Sequence, residues 1–159
     1  MNDLLNTILK ETFSLNGLKH RLRILKSNLL KTFFGNEKEE VTLSTQDLNW
    51  LKSLPLSFYQ QFNKDNVYQI FFDLEAAEAK LKILTMQLTF EPDEDALNQI
   101  GTFARKIFDP TIILDIKLNP NLIAGAALVW KGIYRDYSLR TKIEEKKPEI
   151  LEGFKKFLR

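Results

Sequence analysis

The chain has 159 residues, of which 44% are hydrophobic and 28% charged, and its net charge is +2. That is an ordinary globular composition, long enough for one domain or two small ones, and the net charge gives no argument for nucleic acid. There is no cysteine, which excludes structural disulfides and thiolate metal sites and fits a reducing cytosol.

The charge is unevenly spread. Residues 1–34 hold six Lys/Arg against two Asp/Glu, residues 35–95 five against twelve, and residues 96–159 twelve against seven. An acidic middle between basic ends either docks basic surfaces or is simply solvated. The start, Met1-Asn2-Asp3-Leu4-Leu5, lacks the basic region of a signal peptide. No apolar run approaches the ~20 residues that span a bilayer, so direct membrane insertion is not expected.

From residue 3 to 34 the apolar spacing is helical. Leu4, Leu5, Ile8, Leu9 and Phe13 make one stripe, and Leu18, Leu22, Leu25, Leu29 and Phe33 a second, with a break at Ser14–Gly17. The second stripe is either a core face or a partner-binding helix. His20, the one histidine, lies among Lys19, Arg21 and Arg23 and is expected on a solvated surface. Gly35 to Glu40 is a charged break. Ser44, Thr45 and Asp47 suit a helix start, after which Leu48, Leu51 and Leu54 share a face up to Pro55. Leu56, Phe58, Tyr59 and Phe62 form a cluster. Asp65 or Asn66 then caps a helix carrying Val67, Ile70, Phe71, Leu74, Ala77 and Leu81.

The pattern changes after residue 80. Ile83, Leu84, Met86, Leu88 and Phe90 read as a strand. Glu91-Pro92-Asp93-Glu94-Asp95 starts a helix, with acidic residues complementing its dipole, and Leu97, Ile100, Phe103, Ala104 and Ile107 form its expected buried face. Asp109-Pro110 stops it. In 111–118, Ile112, Leu114, Ile116 and Leu118 alternate with Ile113, Asp115 and Lys117, a strand with one wet face. Asn119-Pro120-Asn121 is turn chemistry, and the apolar run that follows predicts an antiparallel hairpin with the preceding strand. Gly125 within that run requires a close backbone approach, and Lys131-Gly132 suits a turn with positive φ. Asp136 and Ser138 are N-cap types for a final helix. Pro148 is expected to kink or restart it, leaving Ile150, Leu151, Phe154, Phe157 and Leu158 as a short amphipathic helix beside Lys147, Lys155, Lys156 and Arg159.

The fold class expected is thus α+β: an all-helical part or arm, 1–80, then a small α/β domain with a mixed sheet and C-terminal helices, 81–159. Catalytic chemistry is missing from the pattern. The six glycines form no phosphate loop. His20 has no nucleophile near it in sequence, and zinc would lack Cys and a second His. Glu91, Asp93, Glu94 and Asp95 are not spaced as a calcium loop. No metal, cofactor or enzymatic activity is expected. Trp130-Lys131 and Tyr134-Arg135 interleave aromatic and basic residues, a weak single-strand nucleic-acid signal.

Residues 119–143 resemble the C-terminal end of the delta subunit of rotary ATP synthases, the oligomycin-sensitivity-conferring protein family. That family carries Asp-Pro-x-Leu-Ile-Gly-Gly, a strand, a Gly turn and Ile-Asp-Gly-Ser entering the last helix. Pro120, Leu122, Ile123, Gly125, Gly132, Asp136 and Ser138 stand at the matching positions, and Arg140 where a basic residue is usual. Asn119, Ala124 and Tyr137 depart from the family's Asp, Gly and Gly, and Ile143 replaces its Leu. With the element order upstream, the likeness covers residues 80–147. It implies a non-catalytic peripheral-stalk subunit on the cytoplasmic face of the cell membrane, linking the catalytic head to the stator during proton-driven ATP synthesis. The implied partners are the alpha subunits of the head, held by the helical part, and the b-type stalk subunit, held by the C-terminal domain. Candidate partner-binding residues are Leu18, Leu22, Leu25 and Leu29, and Ile150, Leu151, Phe154, Phe157 and Leu158. The alternatives are an unrelated adaptor or scaffold and a small nucleic-acid-binding protein.

Overall fold

The computed structural model describes residues 2–35 and 43–157. Five helices come first: α1 (Asn2–Lys10), α2 (Leu15–Phe34), α3 (Thr45–Ser53), α4 (Leu56–Tyr59) and α5 (Val67–Glu78). Local chemistry sets their ends. The Ser14 hydroxyl accepts from Gly17 N at 3.0 Å and starts α2. Ser44 and Asp47 form a reciprocal capping box at α3. At α5 the expected Asp65 or Asn66 cap is not made. The Asn63 side chain accepts from Asp65 N and Asn66 N instead, and Asn66 turns back to Asn63 N.

These helices close on one core. Leu4, Leu5, Ile8 and Leu9 of α1 meet Leu18, Leu22, Ile24, Leu25 and Leu29 of α2, with Trp50, Leu51, Phe58, Phe62, Phe71 and Leu74 filling the remainder. The stripe Leu18-Leu22-Leu25-Leu29 is therefore core and not a partner surface: burying four leucines within the chain leaves no apolar face there for another protein. Leu48 departs from the expected face of α3. It is exposed, and Trp50 takes its place inside.

The second part is a four-stranded mixed sheet of β1 (Ile83–Leu88), β2 (Ile113–Leu118), β3 (Ala126–Trp130) and β4 (Ile133–Asp136), in the order β2-β1-β3-β4. α6 (Glu94–Ile107), capped by Asp93, connects β1 to its parallel neighbour β2. The expected β2–β3 hairpin does not form. β3 crosses the end of β1 and pairs with it antiparallel, Met86 opposite Leu128 and Leu88 opposite Ala126. The other edge of β2 is already met at its start by the α1–α2 link, where Leu114 N donates to Phe13 O at 2.8 Å and Ser14 bridges to Leu114. Asn119 extends the β1–β2 ladder by one rung, its N–H donating to Leu88 O and its amide to Gln87 Oε1, each at 2.7 Å. β3 makes its hairpin with β4 instead, a strand not expected from the sequence. Lys131 (φ 51°) and Gly132 (φ 77°) supply its two-residue turn, and positive φ at both positions matches the right-handed twist of the strands.

α6 covers one sheet face, where Leu84, Ala104, Ile112 and Leu114 form a second core with Leu97, Ile100, Leu128 and Trp130 around it. Phe103 and Ile107, expected inside, are exposed, because α6 turns Gly101 and Ala104 inward. Phe13 lies so close that a Cβ on Gly101 would fall 2.3 Å from its ring. The opposite sheet face is not uniformly wet. Ile113 is fully buried within the helical core, so β2 begins with both faces covered.

The chain ends in α7 (Leu139–Phe157), a single helix that runs through Pro148 without the expected break. Nothing in α7 is buried, so the Glu144 carbonyl, which loses its donor at Pro148, is free to meet water.

Candidate partner-binding surface

The motif residues gather at one end of the sheet. Pro120–Leu122 form a single 3-10 turn with Leu122 buried beneath it. Ile123 follows at φ 67°, ψ −53°, with Ala124 N donating to Leu122 O at 2.8 Å. That is a γ-turn of the strained hand, rare for any residue and more so for a β-branched one. Its side chain is left exposed. Strain at an outward-facing apolar residue costs stability without gaining a buried contact, a signature more common at binding surfaces than in scaffolding.

Gly125 comes next, at φ 86°, and a Cβ there would stand 2.6 Å from the Tyr137 carbonyl oxygen. Two bonds bracket it: Tyr137 N donates to Ala126 O at 2.9 Å, and Leu139 N to Ala124 O at 2.8 Å. Gly125 thus lets the entry to α7 lie directly against the chain before β3. It precedes the strand and does not belong to it. Asp136 Oδ1 accepts from Ser138 N at 2.7 Å, and the buried Ser138 hydroxyl accepts from Thr141 N at 3.3 Å, capping the first turn. The hydrogen bonds from Ser138 hold the Asp136 carboxyl below the usual carboxylate range. Gly132 lies apart, in the β3–β4 turn at the opposite end of the hairpin. Arg140 is on the exposed first turn of α7 and pairs with Glu144 at 2.9 Å.

From this anchored start α7 projects. Its main contacts with the rest of the fold are at its first turn, against the 3-10 turn at Pro120–Leu122 and Ala124. Leu139, Ile143, Ile150, Leu151, Phe154 and Phe157 are all exposed, Phe157 to 88%. The C-terminal candidates Ile150, Leu151, Phe154 and Phe157 are therefore surface residues, whereas Leu158 falls outside the described residues. The sequence missed Leu139 and Ile143. They extend the same stripe to the first turn, and their spacing of four, then seven to Ile150 and four to Phe154 across the proline, was the signal that would have found them.

One cleft, of about 370 Å³, lies between the two parts and is lined by Thr12, Ser14, His20, Arg21, Asp47 and Trp50 among others. His20 is not free in solvent as expected: its Nε2 is 2.8 Å from Asp47 Oδ1. Arg21 donates to Glu11 O at 2.6 Å and Thr12 Oγ1 at 2.7 Å and lies 5.1 Å from the Trp50 ring centre. The polar groups at its centre thus bond one another. The aromatic members of the aromatic–basic pairs also have partners within the fold, while Lys131 and Arg135 are exposed. Trp130 meets Phe108 edge-on at 5.7 Å, and Tyr134 donates to Asp136 at 3.1 Å.

Compared with protein-family models and with curated proteins, the chain matches none.

Proposed function

We propose that this chain is a non-catalytic peripheral-stalk subunit of a rotary ATP synthase, joining the catalytic head to the stator and resisting torque as the rotor turns. The observation that carries this is α7, a 19-residue helix rooted by Gly125 and Ser138 and displaying an unpartnered apolar stripe. A connector under torque needs a rigid root and a long partner contact, and a helix laid against a helix supplies the latter. The family resemblance names the partner as the C-terminal helix of a b-type stalk subunit, with the alpha subunits of the head held by the helical part. No helix among the described residues is long and apolar enough to cross a membrane, so in this reading the chain meets the cytoplasmic face of the membrane through the b subunit. An unrelated adaptor would use the same helix with a different partner.

The test is titration of the b-type stalk helix from the same cell into the full chain and into a chain truncated after Lys147. The truncated chain should keep its sheet signature in circular dichroism, because every strand ends before that point, and should bind at least tenfold more weakly, ~1.4 kcal/mol. Equal affinity would move the contact elsewhere, and no binding to either form would favour the adaptor. The reading also expects no ATPase activity and no nucleotide binding; saturable micromolar ATP binding in calorimetry would overturn it.

A further inference from the structure

The charge pattern of α7 specifies its partner more narrowly than its apolar stripe does. At about 100° per residue, Leu139, Ile143, Ile150, Phe154 and Phe157 fall within an arc of about 60°. Lys146 and Lys147 fall at the two borders of that arc, close to the midpoint of the helix. Of the ten charged residues on α7, Arg140 pairs with Glu144 and Lys156 with Glu152. Lys146 and Lys147 have no carboxylate within ion-pair distance among the described residues, and both are exposed. A helix laid on this stripe would cover their aliphatic stems and bring two ammonium groups to its own middle.

We infer that α7 takes an amphipathic helix whose apolar stripe carries one or two carboxylates at its centre, opposite Lys146 and Lys147. This rests on the reading of α7 as a helix-binding element and adds the chemistry of what it binds. Two other occupants fit less well. In a second copy of this chain, α7 paired with α7 about its midpoint at Pro148 would set the lysine pair against itself, whether parallel or antiparallel. Like charges facing across an interface disfavour that pairing. An anionic membrane surface would also attract Lys146 and Lys147, but membrane-surface helices keep a polar face dominated by Lys and Arg, whereas α7 sets four glutamates against its four other basic residues.

The experiment uses the full chain and two synthetic peptides of roughly 20 residues, long enough to match α7. They share one Leu/Ile stripe and differ only in a central Glu-Glu or Lys-Lys pair. Binding is read by fluorescence anisotropy at low salt. The Glu-Glu peptide should bind at least tenfold more tightly than the Lys-Lys peptide. The Lys146→Glu/Lys147→Glu chain should reverse that order, and Phe154→Ala should weaken both peptides. The altered residues are exposed, and circular dichroism checks that each variant is folded. Equal affinities, no binding of either peptide, dimerisation through α7 in sedimentation, or binding to phosphatidylglycerol vesicles that the Glu-Glu peptide does not displace would each overturn the inference. Because the peptides are designed, the outcome is separable from the stalk reading. A chain that prefers the Glu-Glu peptide and ignores the b-type helix would sink the stalk assignment alone.

Discussion

At the scale of single residues, Gly125 and Asp47 show how position fixes chemistry. Gly125 combines positive φ with a carbonyl where a Cβ would stand, so both backbone strain and overlap oppose any side chain. Gly125→Leu should cost ~1–3 kcal/mol or more through overpacking and strain. A urea midpoint unchanged by the substitution would show that the α7 root is not pressed against residue 125. The need for close approach was legible from a glycine within an apolar run; the partner, Tyr137, twelve positions away, was not. Asp47 is governed by competition. Burial raises its pKa, but the Ser44 N–H, His20 and the Ser44 hydroxyl bond the charged form and together bring it below the usual value. A depressed folded value means that the stabilisation is present above the unfolded value, ~3.9, and is lost as pH falls through the lower folded one. Asp47→Asn should therefore cost about 1 kcal/mol at pH 7, the typical worth of an N-terminal cap. The gap from the parent should narrow as pH falls below the unfolded value and through the lower folded one, where the parent's carboxylate protonates. Urea titrations at pH 7 and across that range check this, and a gap independent of pH would assign the effect to something other than the carboxylate.

At the scale of elements, the strands and most helices were readable from periodicity, while their neighbours were not. A short connection after a strand ordinarily makes a hairpin, and the β2–β3 expectation followed that rule. It failed where the α1–α2 link meets the other edge of β2 at Leu114, a long-range contact that no spacing encodes. Phe103 and Ile107 fit the helical period of α6 as well as any core residue. The face was turned by Phe13, 88 residues earlier, packing onto Gly101. Arg105 completes that junction. Its guanidinium donates to Leu9 O at 2.8 Å, Thr12 O at 2.6 Å and Ile112 O at 3.2 Å, and lies 4.3 Å from the Phe13 ring centre. It ties the end of α1 and the α1–α2 link to α6 and the start of β2. Arg105→Met keeps much of the stem but leaves three carbonyls without this donor, two of them on the helical part. Hydrogen bonds to a charged group contribute roughly 1.5–3 kcal/mol each; with the freed carbonyls partly met by water, the loss predicts a destabilisation of about 2–4 kcal/mol. A loss under 0.5 kcal/mol by urea titration would mean that water replaces the guanidinium freely.

At the scale of the molecule, composition places a boundary near residue 80, where helices give way to strands, but the contacts run across it. Ile113 of β2 is fully buried in the helical core. Leu114 N donates to Phe13 O at 2.8 Å, and Ser14 bridges to Leu114 in parallel, so the link before α2 acts as a short extra edge on the sheet. Arg105 and Phe13 add a third and fourth tie. A joint made of a shared core residue, backbone bonds and a clamped guanidinium is expected to couple the two parts into one cooperative unit, which the proposed stalk role would require. The two tryptophans allow this to be measured, because Trp50 lies in the helical core and Trp130 on the sheet. In Trp50→Phe and Trp130→Phe variants, each remaining indole reports one part alone. After correction for each variant's own stability by circular dichroism, the two fluorescence transitions in urea should coincide with the loss of helix. Ile113→Ala should shift both to lower denaturant together, by the ~2–5 kcal/mol typical of truncating a fully buried Ile. If the Trp130 transition separates from the Trp50 transition, the boundary near residue 80 divides independent domains, and the contacts through Ile113, Phe13 and Arg105 do not couple them.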